Sequence, residues 1–160
     1  MLTITIACVG KLKEAYWRDA CAEYTKRLSA FCRLQIAEVS EERLPDNPSA
    51  AQIASALEAE GERLLSRVPN GAPIVALCIE GKGYTSEALS EQLSRWTVDG
   101  ISHVVFVIGG SFGLSPLVKE TSRVRLSMSG MTFPHQMARV MLLEQIYRAM
   151  QIAVGGKYHK

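Results

Sequence analysis

The chain has 160 residues, 48% of them apolar and 21% charged, which suits one globular domain with a single core and excludes a disordered or fibrous chain. A formal charge of +2 is too small to announce a nucleic-acid binder or to exclude one, since phosphate binding needs clustered Lys and Arg. Cys8, Cys21, Cys32 and Cys78 form no C-x-x-C pair, and neither a signal-peptide pattern nor an apolar stretch of roughly 20 residues occurs; the expectation is a cytoplasmic protein with reduced thiols, no metal and no membrane contact.

Thr3 to Val9 is short, rich in β-branched residues and closed by Gly10, the pattern of a first strand. Trp17, Cys21, Tyr24, Leu28 and Phe31 then recur at spacings of four and three, the stripe of an amphipathic helix. Leu34, Ile36 and Val39 suit a second strand, and the stretch from Pro45 through Asp46 and Asn47 to Pro48 interrupts regular structure. Ser49 with Gln52 three residues later forms a capping-box pattern, and Ile53, Leu57, Leu64, Leu65 and Val68 continue one helical face until Pro69, Asn70 and Gly71 end it.

Ile74 to Ile79 and Val104 to Ile108 are continuous apolar runs, as expected of strands covered on both faces of a parallel sheet. Between them, Leu89, Leu93 and Trp96 mark a third helix within 86–96. A short helix, a weaker fifth strand from Arg123 to Met128 and a long helix from Pro134 to Ala153, opened by a favourable proline, complete the chain. The alternation predicts a single α/β domain over residues 1–160, its sheet mainly parallel with helices on both faces.

In such sheets ligands collect at the carboxyl ends of the strands. The third strand runs into Glu80-Gly81-Lys82-Gly83, the fourth into Gly109-Gly110-Ser111-Phe112-Gly113-Leu114, and the fifth into Ser129-Gly130-Met131-Thr132-Phe133-Pro134-His135. Glycines there allow positive φ and close backbone approach to a ligand, although a tight ligand-free turn needs them equally. Neither G-x-G-x-x-G after the first strand nor a P-loop motif is present, which argues against a dinucleotide-binding dehydrogenase or a P-loop ATPase. On the final helix Glu144, Arg148 and Gln151 share one side, and the rest is apolar enough to suggest burial on two sides, as at a subunit interface. The closing Lys157-Tyr158-His159-Lys160 could stack on a base and meet phosphate, or simply fray.

Four stretches, ACVGKLKEAYW near the start, VIGGSFGL after the fourth strand, LSMSGMTFPHQMARVMLLEQIYRA in the last third and the terminal KYHK, together resemble the ribosomal RNA large subunit pseudouridine N3-methyltransferase family of SPOUT enzymes. The resemblance implies an α/β knot, with a trefoil-knotted region at about 74–160, and an obligate homodimer. It also implies S-adenosyl-L-methionine as cofactor. By this likeness Leu77 and Gly109 match cofactor-contacting positions, and Met128, Ser129, Gly130, Met131, Thr132 and Phe133 match the loop that closes over it.

The implied substrate is a pseudouridine in large-subunit ribosomal RNA, within the assembled ribosome, methylated at N3. A sulfonium methyl is already activated, so such an enzyme needs chiefly alignment and removal of an imide proton. His159 is the first candidate for that proton and His135 the second, since an imidazole titrates near neutral pH. Tyr158 is a candidate to orient the base, Arg148 to bind phosphate or offset charge, and Glu144 to position Arg148. Lys160 stands where some relatives carry Arg and lacks the planar fork for bidentate phosphate contact. A non-catalytic RNA-binding ribosome assembly factor on the same scaffold is the competing reading.

Overall fold

Strand β1 (Thr3–Val9) alternates its side chains between two apolar environments, which is why almost every residue of it is buried. In the computed structural model, which describes residues 1–160, Ile4, Ile6 and Cys8 join a core with Val104, Phe106 and Ile108 of β4 (His103–Ile108). Ala7 and Val9 join a second core with Val105 and Val107 on the opposite face. The two cores are the two sides of one sheet.

Helices α1 (Ala15–Leu28), α3 (Ser86–Val98) and α5 (His135–Ala153) close the first side through Cys21, Leu28, Leu93, Trp96, Leu142 and Ile146. Helices α2 (Ala50–Leu65) and α4 (Pro116–Thr121) close the second through Leu64 and Val118. The capping box at α2 forms as its sequence implies: Ser49 Oγ accepts from the Gln52 backbone N–H at 3.1 Å, and Gln52 Oε1 accepts from the Ser49 N–H at 2.8 Å. No helix is long and apolar enough to cross a membrane.

Strands β2 (Arg33–Val39), β3 (Ile74–Gly83) and β5 (Val124–Ser127) complete a five-stranded sheet in the order β2-β1-β4-β3-β5, with every pairing parallel. Because β3 lies between β4 and β5, the β4–β5 connection must cross over it. The helix after β1 packs on one face and the helix after β4 on the other. The carboxyl ends of β4, β3 and β5, neighbours in that order, lie side by side at one edge of the sheet.

β5 is shorter than its expected Arg123 to Met128 and α3 runs two residues past Trp96, and three further boundaries differ from the sequence expectation. Glu80 to Gly83 is the far half of β3 and not a loop: Leu77 and Lys82 both pair with Leu126, so Cys78 to Gly81 bulges outward before the strand resumes. Gly81 permits that return, since a Cβ there would stand 2.7 Å from the Arg125 carbonyl oxygen. Helix α1 ends at Leu28, and Phe31 leaves its stripe to pack edge-on against Tyr147, with ring centroids 5.9 Å apart. Pro134 is the N-cap of α5, one position before the helix starts.

Candidate functional site

The carboxyl ends of β3, β4 and β5 enclose a cleft of about 780 Å³. Its apolar walls are Leu77, Ile79, Ile108, Leu126, Met128 and Phe133, and glycine backbone of the β4 loop forms one side. Of the residues that the sequence assigns to a cofactor, Leu77, Gly109, Met128, Ser129, Met131, Thr132 and Phe133 line this cleft. Gly130 is exposed within the same loop without lining it. An apolar slot with backbone amides and carbonyls at its edge fits the adenine ring and the methylene and methyl groups that S-adenosylmethionine presents.

The β4 loop is held in one shape. Gly113 donates its N–H to the Gly110 carbonyl at 3.1 Å and sits at φ +85°, where only glycine is unstrained. A Cβ on Gly109 would run into the Gly113 backbone. The β5 loop is tied by Ser129, whose Oγ accepts from the Met131 N–H at 3.0 Å and whose carbonyl accepts from the Ser127 hydroxyl at 3.1 Å.

His135 also lines the cleft, at the start of α5. Burial holds its pKa below the usual histidine value, the Arg139 charge adds to this, and Glu41 and Glu14 oppose it. The neutral imidazole is thus its form near pH 7, able to accept a proton.

The remaining candidates meet elsewhere, around the last turns of α5. Glu144 Oε1 accepts from Arg148 Nη2 at 2.6 Å and from the Tyr158 hydroxyl at 3.0 Å. The Arg148 guanidinium lies over the Tyr158 ring, 4.6 Å from its centroid. The tail is therefore docked and not frayed. His159 stands with Nδ1 3.3 Å from Arg148 Nη1 and Nε2 2.6 Å from Glu87 Oε1. Burial, followed by the bond to Glu144 and the proximity of Tyr24, pushes the Tyr158 hydroxyl up to about 12, so near pH 7 it donates and does not act as an anionic base.

Thirteen positions of helix separate His135 from Arg148, about 20 Å along the axis. A smaller cleft of about 480 Å³ spans part of this gap: it shares Leu126 and Met128 with the larger one and reaches Glu144. Within one chain the cofactor cleft and the tail cluster are thus neighbours but not one site.

Arg139 escaped the sequence reading. It is 2% exposed, donates to Glu38 Oε2 at 2.8 Å and to the Gly10 carbonyl at 3.3 Å, and leaves its Nε without a partner. The available signal was an arginine one turn after His135 on a helix side otherwise occupied by the apolar Leu142, Leu143, Ile146 and Ala149.

A parallel sheet with a glycine-walled apolar cleft at its carboxyl edge defines an α/β protein built to hold a nucleotide-like cofactor. The chain matches the family described as "Predicted SPOUT methyltransferase" over residues 2–159. It is 50% identical over 159 residues to a Ribosomal RNA large subunit methyltransferase H from Bifidobacterium animalis subsp. lactis, covering 99% of this chain and 100% of that protein. Identity is 48% to the protein of the same name from Pelotomaculum thermopropionicum, with 99% of each covered. Among solved structures, a probable methylase family protein from Haemophilus influenzae aligns with TM-score 0.57 at 13% identity, over 98% of this chain and 70% of that one. A putative Legionella pneumophila methyltransferase with bound cofactor SAM aligns with TM-score 0.51 at 12% identity, over 95% and 66%. The chain belongs to the ribosomal RNA large subunit methyltransferase H family of SPOUT methyltransferases.

Proposed function

We propose that the protein methylates N3 of a pseudouridine in large-subunit ribosomal RNA, using S-adenosyl-L-methionine, as a cytoplasmic homodimer acting on the assembled ribosome. The observation that carries this is the coincidence of the cofactor cleft with the loops that the family resemblance assigns to the cofactor, in a chain whose near-full-length relatives bear the methyltransferase name. In this reading the C-terminal half, about 74–160, carries the family's knot.

When bound, S-adenosylmethionine supplies an electrophilic methyl group. Leu77, Met128 and Phe133 would enclose its apolar parts, while the Gly109 loop and the Ser129 to Thr132 loop present backbone polar groups to its edges. The protein's own work is then to align the base and to receive the N3 proton. His135, neutral and in the cleft, and His159, at the tail, are the two candidate acceptors. Arg148, oriented by Glu144, offers a fixed guanidinium for phosphate or for charge developing on the base, and Tyr158 offers a donor and a ring face.

A homodimer is supported by α5. Its inner side is buried, but Met137 and Met141 on the other side are only partly covered within one chain. Pairing on that side would bring one subunit's tail toward the other's cleft.

The experiment is transfer of labelled methyl from S-adenosylmethionine to ribosomes lacking this modification, comparing the intact chain with one truncated after Gly156. Label at N3 of a pseudouridine, dependent on the tail, is the expected result. Cofactor binding without transfer to any ribosomal particle would favour the assembly-factor reading.

A further inference from the structure

Phe112 stands at the tip of the β4 loop with half its surface (50%) exposed. Surface phenylalanines are commonly carried by mobile loops. This one is carried by a turn held by the Gly113-to-Gly110 hydrogen bond and by the close contact of the Gly109 and Gly113 backbones.

The ring belongs to two clefts at once. On one side it lines the cofactor cleft. On the other it lines a separate cleft of about 550 Å³, between the loop Glu41 to Pro48 and the Ala56, Leu57 and Glu60 positions of α2. Glu41, Glu42, Asp46 and Glu60 line that second space; Glu42 is paired with Arg63 and Glu60 accepts the Glu42 N–H, so Glu41 and Asp46 are its unpaired carboxylates, beside the exposed Arg43, which forms no ion pair. Such a space repels phosphate but accommodates a base edge that offers N–H groups, while Arg43 at the rim can meet the backbone outside. A ring that served only to enclose the cofactor would have no reason to wall the acidic space as well.

We propose that Phe112 is the stacking platform for the target base, holding it, turned out of the RNA, between the methyl-donor cleft and the acidic cleft beside it. This rests on the RNA methyltransferase reading and deepens it. A base taken out of its stack loses its neighbours' faces, and a rigid aromatic ring beside the methyl donor restores one of them. Stacking is indifferent to base identity, so Phe112 supplies affinity and alignment, and the polar groups around it are left to read the edge.

The test compares wild type, Phe112→Leu and Phe112→Trp on ribosomes lacking the modification. Transfer kinetics, S-adenosylhomocysteine affinity, solution mass and binding to the ribosomal particle are all measured. Phe112→Leu keeps an apolar side chain of similar size but removes the π face. Its kcat/KM should fall about 5- to 100-fold, mainly through KM, with cofactor affinity and mass unchanged, and Phe112→Trp should retain most of the activity. Unchanged kinetics in Phe112→Leu would overturn the proposal. So would a parallel loss of cofactor affinity, which would give the ring to the cofactor, or a change in mass, which would give it to a subunit interface. A wild-type protein that binds particles in a Phe112-dependent way but transfers no methyl would uphold the platform and sink the enzymatic reading.

Discussion

Arg139 and Glu38 lie 101 residues apart in sequence and join α5 to the end of β2, yet the two partners occupy very different surroundings: the arginine side chain is 2% exposed and the glutamate 34%. Removing the glutamate strands a guanidinium in the core, whereas removing the arginine leaves a carboxylate that water can still reach. Glu38→Ala should therefore cost about 3 kcal/mol and Arg139→Met about 1 kcal/mol in urea unfolding; the opposite order would show that the pair is not governed by desolvation. His135 carries a second residue-level expectation. Its pKa in the folded state is depressed, so the unfolded chain takes up this proton first as pH falls. The stability it contributes is full above the ordinary value of 6.5 and is lost as pH falls from there through the lower folded pKa. Thermal melts of His135→Gln, which cannot titrate, should show a shallower decline below pH 6.5 than wild type; equal slopes would place the acid sensitivity elsewhere.

At the scale of elements, β3 and β5 hold the cofactor loops in place through an irregular pairing, in which Leu126 serves both limbs of the β3 bulge. The Gly81 backbone has no room for a side chain against the Arg125 carbonyl. Gly81→Ala should destabilise the fold by about 1–3 kcal/mol and weaken cofactor binding more than Gly83→Ala, whose Cβ would meet nothing within 4 Å. Calorimetric titration with S-adenosylhomocysteine separates the two, and equal affinities would mean that the bulge is not coupled to the cleft. This bulge also shows where the sequence stops being legible. The apolar runs of β3 and β4 declare themselves because both faces are covered, and α2 declares itself through Ser49 and Gln52. Glu-Gly-Lys-Gly reads as loop because its pairing partner, β5, lies more than 40 residues on and local periodicity carries no trace of it. The same limit applies to the site. Glycines and the loop sequences mark the cleft, and likeness to a family marks the tail, but the Arg139–Glu38 contact and the double exposure of Phe112 arise only when distant strands fix which loops are neighbours.

At the scale of the whole molecule, the helix that joins the two sets of candidate residues also keeps them apart. α5 is a run of 19 residues, with His135 at the cofactor cleft, Glu144 at its middle, and Arg148 and the docked tail toward its far end. No rotation of side chains closes a gap of about 20 Å. If both sets act on one base while the tail stays docked, the second comes from another chain, and the partly covered side of α5 is the surface available for that pairing. This makes a subunit-mixing experiment decisive. For the dimer proposed above, take one variant disabled in the cleft, Leu77→Arg, and another truncated after Gly156; each alone should be inactive. Refolded together, they form heterodimers in which one of the two composite sites has both an intact cleft and an intact tail. Such heterodimers make up about half of a random assortment and hold one good site of two, so activity should return to about a quarter of wild type. No recovery, with heterodimers demonstrated by mass, would mean that cleft and tail must come from the same chain and that the tail has to undock from Glu144 and Glu87 to reach its own cofactor.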